Sequence, residues 1–449
     1  MKLSLAAVCG RPVWLGISFA LSWVAANAAP TLPEPLTLDA ALSLPSATDP
    51  TLEQAQADVD LAHAQQQDTQ ADSGFQAALQ GRAFRVAPYA VASDQGRNDN
   101  SVSLVVRKPL YDFGRSSAGV AAAQAEVQGS EWRLLDAQQQ RRLNIMARFF
   151  DVLLADLAKA RDDQAFKVNE RLYRSAVARQ QMGQISRIDL AAQQTACLAT
   201  QRQQQASAAR CRATRQALAD SLDRHGAWPG TLTPPAVPIA PRALLNIAGL
   251  LESAQAHNVQ LRAQRAQLEA ARQRVQAARA QRRPTLNGEL AASDYSRQTD
   301  ERDKWHAGVV LEVPLYAGGK TDAAIATRQA ELRRLEAAYA QAQQSLAQSV
   351  QTTLDELANL RLQREQARAQ LDYRRMALER TRGLHDAAPD GVLDADRAAL
   401  AEARLFRAQT DYQLLLTEAR LDALLGQTSD AQPLARDSDD TAAAVPLKN

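Results

Sequence analysis

PLYDFGR (109–115) and PLYAGGK (314–320) stand 205 residues apart in one chain. Around them, Leu104–Val127 aligns with Val309–Leu332 at that offset without a gap. Identity falls at Val105, Pro109, Leu110, Tyr111, Gly114, Ala118, Ala121, Gln124, Ala125 and Glu126. The same offset carries Ile188-Asp189 onto Leu393-Asp394, which marks an internal duplication. A proline has no amide hydrogen to give a neighbouring strand, and a glycine permits a sharp turn. The phrase therefore reads as a corner where strand pairing ends and a helix begins, with Pro109, Tyr111, Gly114 and Pro314, Tyr316, Gly319 as its residues.

Working outward, each half reads as helix, two strands, long helix, turn and shorter helix. The first half, 29–227, carries strands at about 75–87 and 101–110 and long helices at about 114–182 and 188–224. The second, 243–426, carries strands at about 285–296 and 305–315 and helices at about 319–383 and 393–425, opened by a helix from about His257 to Arg283 that Pro284 halts. In the strand 305–315, Trp305, Val309, Leu311 and Val313 share one face at period two. After each corner the period becomes helical: Leu143, Met146, Phe150, Leu153, Leu157, and Leu332, Leu335, Tyr339, Ala342, Leu346, form coiled-coil seams. The first long helix would span ~100 Å and its return ~55 Å, so an opening helix stacked end to end on a returning helix matches one long helix. The breaker-rich WPGTLTPPAVPIAP (228–241) lies in a linker, 228–242, where those short helices meet.

Composition supports narrow seams. With 46% hydrophobic but only 5% aromatic residues, alanine and leucine must carry most of the burial. Lys2 and Arg11, the apolar run Val13–Ala26 and the small residues Ala26-Asn27-Ala28 read as a signal peptide, 1–28, with export from the cytoplasm; the competing reading is a membrane anchor. Removing Lys2 and Arg11 takes the formal charge from +2 to zero, which gives no case for nucleic acid. Cys197 and Cys211 on one helix lie ~21 Å apart, beyond disulfide reach. The histidines have no partners at metal-ligand spacing, and no nucleophile elbow or phosphate loop occurs, so neither cofactor nor metal nor enzymatic activity is expected. AQRR (280–283) reads as a solvated face, and the tail 427–449 as polar and disordered. Trp305, Tyr295, Tyr111 and Tyr316 flank the strands, where either an interfacial girdle or ordinary packing accounts for them.

Four strands per chain cannot close a barrel, so several chains must share one wall, with the helices extending it as a tube. The doubled PLY corner, the strand pairs before it, the coiled coils after it and the exported N-terminus resemble the TolC-type outer-membrane efflux proteins, over about residues 36–426. The resemblance implies a mainly α chain with a β membrane part: a homotrimer whose strands form a twelve-stranded barrel above a periplasmic helical tunnel. It also implies an exit duct in the outer membrane of a Gram-negative bacterium. Its partners would be outer-membrane lipids, a periplasmic adaptor (membrane fusion) protein and an inner-membrane transporter of RND or ABC type, in tripartite efflux or type I secretion.

By the same resemblance the turns after the long helices are the tunnel tip. Gly183, Gln184, Ile185 and Ser186 in the first turn, and Pro389, Asp390 and Gly391 in the second, would contact the adaptor. Asp189 and Asp394 would ring the entrance; the alternative is that each simply caps a helix. The second turn departs from the family in carrying Pro389 and in lacking a Ser or Thr at the mate of Ser186. Rival readings are a periplasmic adaptor, which would not repeat with strands in each half, and a structural coiled coil of the envelope, which needs no corners.

Overall fold

The computed structural model describes residues 33–44, 49–88, 91–92, 94–224, 226–237, 247–297, 302–383 and 392–427. The expected signal segment, the second turn with Pro389, Asp390 and Gly391, and the tail from residue 428 onward lie outside them. The chain is mainly helical with one small sheet. In order it forms α1 (Leu38–Ser43), α2 (Pro50–Ala71), β1 (Gln76–Arg85), β2 (Asn98–Tyr111), α3 (Arg115–Gln181), α4 (Arg187–Ser221), α5 (Ile247–His257), α6 (Val259–Ala280), β3 (Thr285–Tyr295), β4 (Trp305–Glu312), α7 (Lys320–Gly383) and α8 (Val392–Leu424).

The repeat is visible in these bounds. Arg115 and Lys320, and Arg187 and Val392, are each 205 residues apart. Pro50 and Val259, and Ala71 and Ala280, are each 209 apart, as are Gln76 and Thr285. The change of four falls between the first and second strand of each half, so the first hairpin has the longer loop. Surface loops absorb such insertions at little cost, whereas helices packed side by side do not.

The 67 residues of α3 span ~100 Å. Along it run α2 and α4, stacked end to end, and Arg141 of α3 pins the joint by pairing with Asp49, the N-cap of α2, at 3.1 Å and with Asp223, just past α4, at 3.9 Å. The second half repeats the device with other chemistry: Asn258, the N-cap of α6, donates from Nδ2 to the Leu424 carbonyl at the end of α8, at 3.1 Å. Residues near the linker close the same level, where Leu36 and Leu232 form a parallel bridge.

Burial follows the seams but exceeds them. Met146, Phe150 and Leu153 are buried as the period requires; Ile145, Phe149 and Val152 are more deeply buried still. The reason is that α3 packs against α2, α4, α6 and α8, so it needs more than one apolar stripe. At the centre, Phe150 stacks on Tyr412 of α8 with ring centroids 4.9 Å apart and planes within 5°. The tyrosine hydroxyl is pushed up to about 12 by burial and then by the Asp411 carboxylate, so it stays neutral throughout the physiological range. Beside it lies a buried ion pair, Arg364–Asp411 at 2.8 Å, joining α7 to α8. Among the described residues Cys197 and Cys211 are both free thiols.

Candidate channel wall and tunnel entrance

The sheet has the order β1-β2-β3-β4 with every neighbour antiparallel, which leaves β1 and β4 as open edges. Register decides which side chains share a face. One face carries Ala77, Leu79, Gly81 and Ala83 of β1; Val102, Leu104 and Val106 of β2; Leu286, Gly288, Leu290 and Ala292 of β3; and Trp305, Ala307, Val309 and Leu311 of β4. The other is mostly polar, with Gln76, Gln80 and Arg82; Ser101, Ser103 and Arg107; Thr285, Asn287, Glu289 and Ser293; and His306 and Glu312, interspersed with Ala78, Phe84, Val105, Ala291 and Val310. A ladder of polar contacts crosses this second face. Arg107 pairs with Glu289 at 3.0 Å, His306 lies 3.5 Å from the same carboxylate, and Ser293 bonds Ser103 at 2.8 Å.

Leu79, Leu104, Leu290, Trp305, Val309 and Leu311 are all exposed, so among the described residues of one chain nothing covers these apolar side chains. Polar residues bound it at both ends: Lys108 towards the helices, and Asn100, Asn98, Asp294 and Arg85 at the far end. From Lys108 to Asn100 or Asn98 is eight to ten residues, ~26–33 Å of strand and ~20–25 Å of height at a tilt of ~40°. That matches the apolar band of an outer-membrane barrel, ~25 Å tall. Among the described residues no helix is long and apolar enough to cross a membrane.

At the corners the strand-to-helix turn uses left-handed backbone. Phe113 has φ 53° and Gly114 φ 94°, and the repeat places Gly318 and Gly319 at φ 62° and 80°. The Asp112 carboxylate accepts from the backbone N–H groups of Gly114 and Ser116 and from the Ser116 hydroxyl, capping α3. Pairing does not end at Pro109 as the sequence suggested. β2 continues to Tyr111 with a register shift between Pro109 and Tyr111, because a bulge absorbs the missing N–H. The shift pairs Tyr111 with Leu286, on the apolar face. β4, in contrast, stops at Glu312, before Pro314. Tyr111 and Trp305 stand exposed on the apolar face, Tyr316 is exposed beyond the end of β4, and Tyr295 sits on the opposite face beneath the Arg302 guanidinium. AQRR keeps Gln281, Arg282 and Arg283 exposed, as a solvated face does, and it also makes contacts: Arg283 donates to the Phe113 carbonyl at 2.9 Å and Arg282 pairs with Asp322 of α7, so two adjacent arginines tie both corners together. Their position just before Pro284, where a helix must turn into a strand, was the available signal.

The turn geometry yields a direct expectation. At φ 94° a β-branched side chain is strained, although no atom of the protein crowds a Cβ there more closely than the Ser117 hydroxyl at 3.8 Å. Gly114→Val should cost ~1–3 kcal/mol per chain. The yield of assembled protein should drop, while Gly114→Asn, which tolerates the left-handed region, recovers most of it; thermal loss of the assembled band measures both.

At the other end of the long helices, the sequence-level mates Asp189 and Asp394 have parted company. Both are the third residue of their helix. Ser186 and Asp189 make a reciprocal capping box: the Ser186 hydroxyl accepts from Asp189 N–H at 3.1 Å, while the carboxylate accepts from the Ser186 hydroxyl and N–H at 2.7 and 3.2 Å. The mate of Ser186 is Gly391, which has no side-chain hydroxyl to complete such a box. Asp394 is instead buried, paired with Arg171 of α3 and with Arg397 at 3.4 Å, and nearby Thr381 donates to Asp396 at 2.5 Å. Gly183, Gln184 and Ser186 are exposed, Ile185 is half-buried, and Met182 and Ile188 stand out as exposed apolar side chains.

The hydroxyl of Ser186, with its backbone N–H second, holds the Asp189 carboxyl below the usual carboxylate range. A depressed carboxyl stabilises above its unfolded value, ~3.9, and the contribution is lost as pH falls through the folded value. Protection of the α4 first-turn amides, corrected for intrinsic exchange, should therefore hold at neutral pH and collapse in acid. In Asp189→Ala it should be low at both.

The sequence of residues 250–427 matches the family model described as outer membrane efflux protein. No curated protein matches the chain by sequence. Its fold is similar to that of CusC, studied for folding and transmembrane channel formation (TM-score 0.71, 19% identity, covering 87% of this chain and 92% of CusC). It is also similar to the outer membrane channel CmeC of Campylobacter jejuni (TM-score 0.70, 14% identity, 88% and 87% covered). A third is the outer membrane channel MtrE of Neisseria gonorrhoeae in its open state (TM-score 0.67, 17% identity, 88% and 90% covered). The resemblance read from the doubled corner therefore holds: residues 250–427 carry the sequence pattern of the outer membrane efflux proteins, and the chain carries the fold of these channels.

Proposed function

We propose that this chain is one third of an exit duct in the outer membrane of a Gram-negative bacterium, exported by its segment 1–28. The observation that carries the proposal is the two-faced sheet, apolar on one side and mostly polar on the other, with both edges open above helices of ~100 Å. Strand directions alternate, so β4 of one copy meets β1 of the next antiparallel, and three copies close twelve strands. The apolar face then meets lipid, and the Arg107–Glu289–His306 ladder lines the pore. Below, α3, α4, α7 and α8 form a periplasmic tunnel.

The duct does no chemistry of its own; it receives small molecules or proteins from an inner-membrane transporter of RND or ABC type through a periplasmic adaptor. The adaptor meets the tip at Gly183–Ser186 and at Pro389–Gly391, where exposed Met182 and Ile188 offer apolar surface. Three Asp189 carboxylates form an acidic ring at the entrance that favours cations. Asp394 adds little to that ring, since a buried carboxylate paired with Arg171 offers little field to a passing ion. The test is the outer-membrane fraction of a producing cell and its conductance in planar bilayers. A heat-modifiable assembly that conducts supports the duct, with cation preference reduced in Asp189→Ala; recovery of the chain as a soluble periplasmic protein refutes it.

A further inference from the structure

We infer that Glu289 and His306 set a second charge-selective level inside the barrel, one whose charge follows pH while that of the tunnel entrance does not. This rests on the duct reading, which turns the polar face of the sheet towards the pore.

Arg107, Glu289 and His306 come from three successive strands, β2, β3 and β4. Arg107 stands directly opposite Glu289 in register, and Gly308 stands opposite it on the other side. Nothing lies within 4 Å of where a Cβ on Gly308 would be, so that side of the carboxylate is left open. His306, two residues before Gly308 and one rung away, brings Nε2 to 3.5 Å from Oε1 of the carboxylate, while Arg107 holds Oε2 at 3.0 Å. The side chains of Arg107 and His306 are 59% and 56% exposed, so an ion moving along this wall meets their charge directly.

Guanidinium and carboxylate groups keep their charges from neutrality into mild acid, and imidazole is the side chain type that gains one in that range. Arg107 and Glu289 cancel, so the ladder carries no net charge when the ring of His306 is neutral and one positive charge when it is protonated. Three copies place three such charges at one height of the barrel. The other charges facing this side are fixed. Glu312 lies six residues along β4, Lys304 two residues before His306, and Arg82 of β1 four residues from Ala78, which shares the rung of His306; Asp99 and Arg302 hold one another through bonds of 2.6 and 2.7 Å. The free edge of β4 meets β1 of the next copy, whose polar face carries Arg82 and no carboxylate. Among the described residues the other histidines, His63 on α2 and His257 at the end of α5, lie outside the sheet. At the entrance, the Ser186 hydroxyl holds the Asp189 carboxyl below the usual carboxylate range, so that ring stays ionised throughout. Charge on a pore wall gathers ions of the opposite sign. Mild acid therefore adds attraction for anions in the barrel without removing attraction for cations at the entrance.

The test is the reversal potential of the full-length assembled protein in planar bilayers under a potassium chloride gradient, at about pH 8 and about pH 5.5. The ratio of cation to anion permeability should fall about twofold or more on acidification. His306→Gln should abolish that change, and His306→Lys, whose charge is permanent, should hold the low ratio of acid at both pH values. Glu289→Gln, which leaves Arg107 uncompensated, should lower the ratio at both. Asp189→Ala should also lower it at both but keep the change with pH, which separates the barrel level from the entrance. A wild-type ratio that does not move with pH, or a change that persists in full in His306→Gln or His306→Lys, overturns the inference and leaves a conducting duct standing. Loss of the change in Asp189→Ala overturns it too, by placing the titrating level at the entrance. A wild-type chain that forms no conducting assembly removes the duct reading and this level together.

Discussion

Leu104→Arg should eliminate the membrane-inserted form, while Ala78→Arg should leave it largely intact. Leu104 lies midway along the apolar face, four residues from Lys108 and four from Asn100, and pairs with Leu79 and Ala292 on the same face. A cation at the lipid-facing midplane of a barrel costs ~2–4 kcal/mol, and every copy in a shared wall bears it. For three copies that is roughly 6–12 kcal/mol, comparable with the whole stability of a domain. Ala78 is exposed on β1 in the opposite face, paired with Val105; in the proposed duct that face lines the pore, so an added arginine would meet water. The comparison is read as heat-modifiable assembly in the outer-membrane fraction. Equal yields of the two variants would mean that the apolar face does not meet lipid.

The second large effect is expected at Phe150. Its ring is 3% exposed and stacks on Tyr412, so it joins α3 of the first half to α8 of the second. Phe150→Ala should cost ~3–5 kcal/mol per chain through lost burial and the cavity left behind. Phe150→Leu keeps much of the volume and should cost nearer ~1–1.5 kcal/mol. The measure is the temperature at which the assembled band dissociates. Because the change lies far from the sheet, a fully assembled remainder should conduct normally; a changed ion preference would show that this core shapes the lumen directly.

Much of this architecture was legible because it repeats. PLYDFGR and PLYAGGK located both corners, the 205-residue offset reproduced the starts of α3 and α7 and of α4 and α8, and period two placed Trp305, Val309 and Leu311 together on the apolar face of β4. Periodicity was less informative on α3: a single seam predicts a two-helix contact, whereas this helix meets α2, α4, α6 and α8, and α1 besides, and buries Ile145, Phe149 and Val152 as well. Local chemistry at Pro109 was overridden by pairing with β3, which carried β2 two residues further. The tip divided in the same way. Ser186 and Asp189 wrote their capping box into adjacent sequence, and Asp394 has a local partner in Arg397, but its partner on another helix is Arg171, 223 residues away, and no spacing rule reaches that far. For the tie made by Arg282 and Arg283 the sequence offered only their position before Pro284; their partners Asp322 and Phe113 lie in other elements and were hidden.

The central claim is that β1 of one copy pairs with β4 of the next and that the ring closes at three. With Cys197 and Cys211 replaced by serine, single cysteines are introduced on the polar face, one in β1 at Gln76, Ala78 or Gln80 and one in β4 at Gly308, Val310 or Glu312. Oxidation of the outer-membrane fraction should, for at least one pairing, give bands of two and three crosslinked chains and none larger. Failure of every pairing to crosslink in that fraction would contradict the shared wall, and a ladder that stops at two or runs past three would contradict its closure.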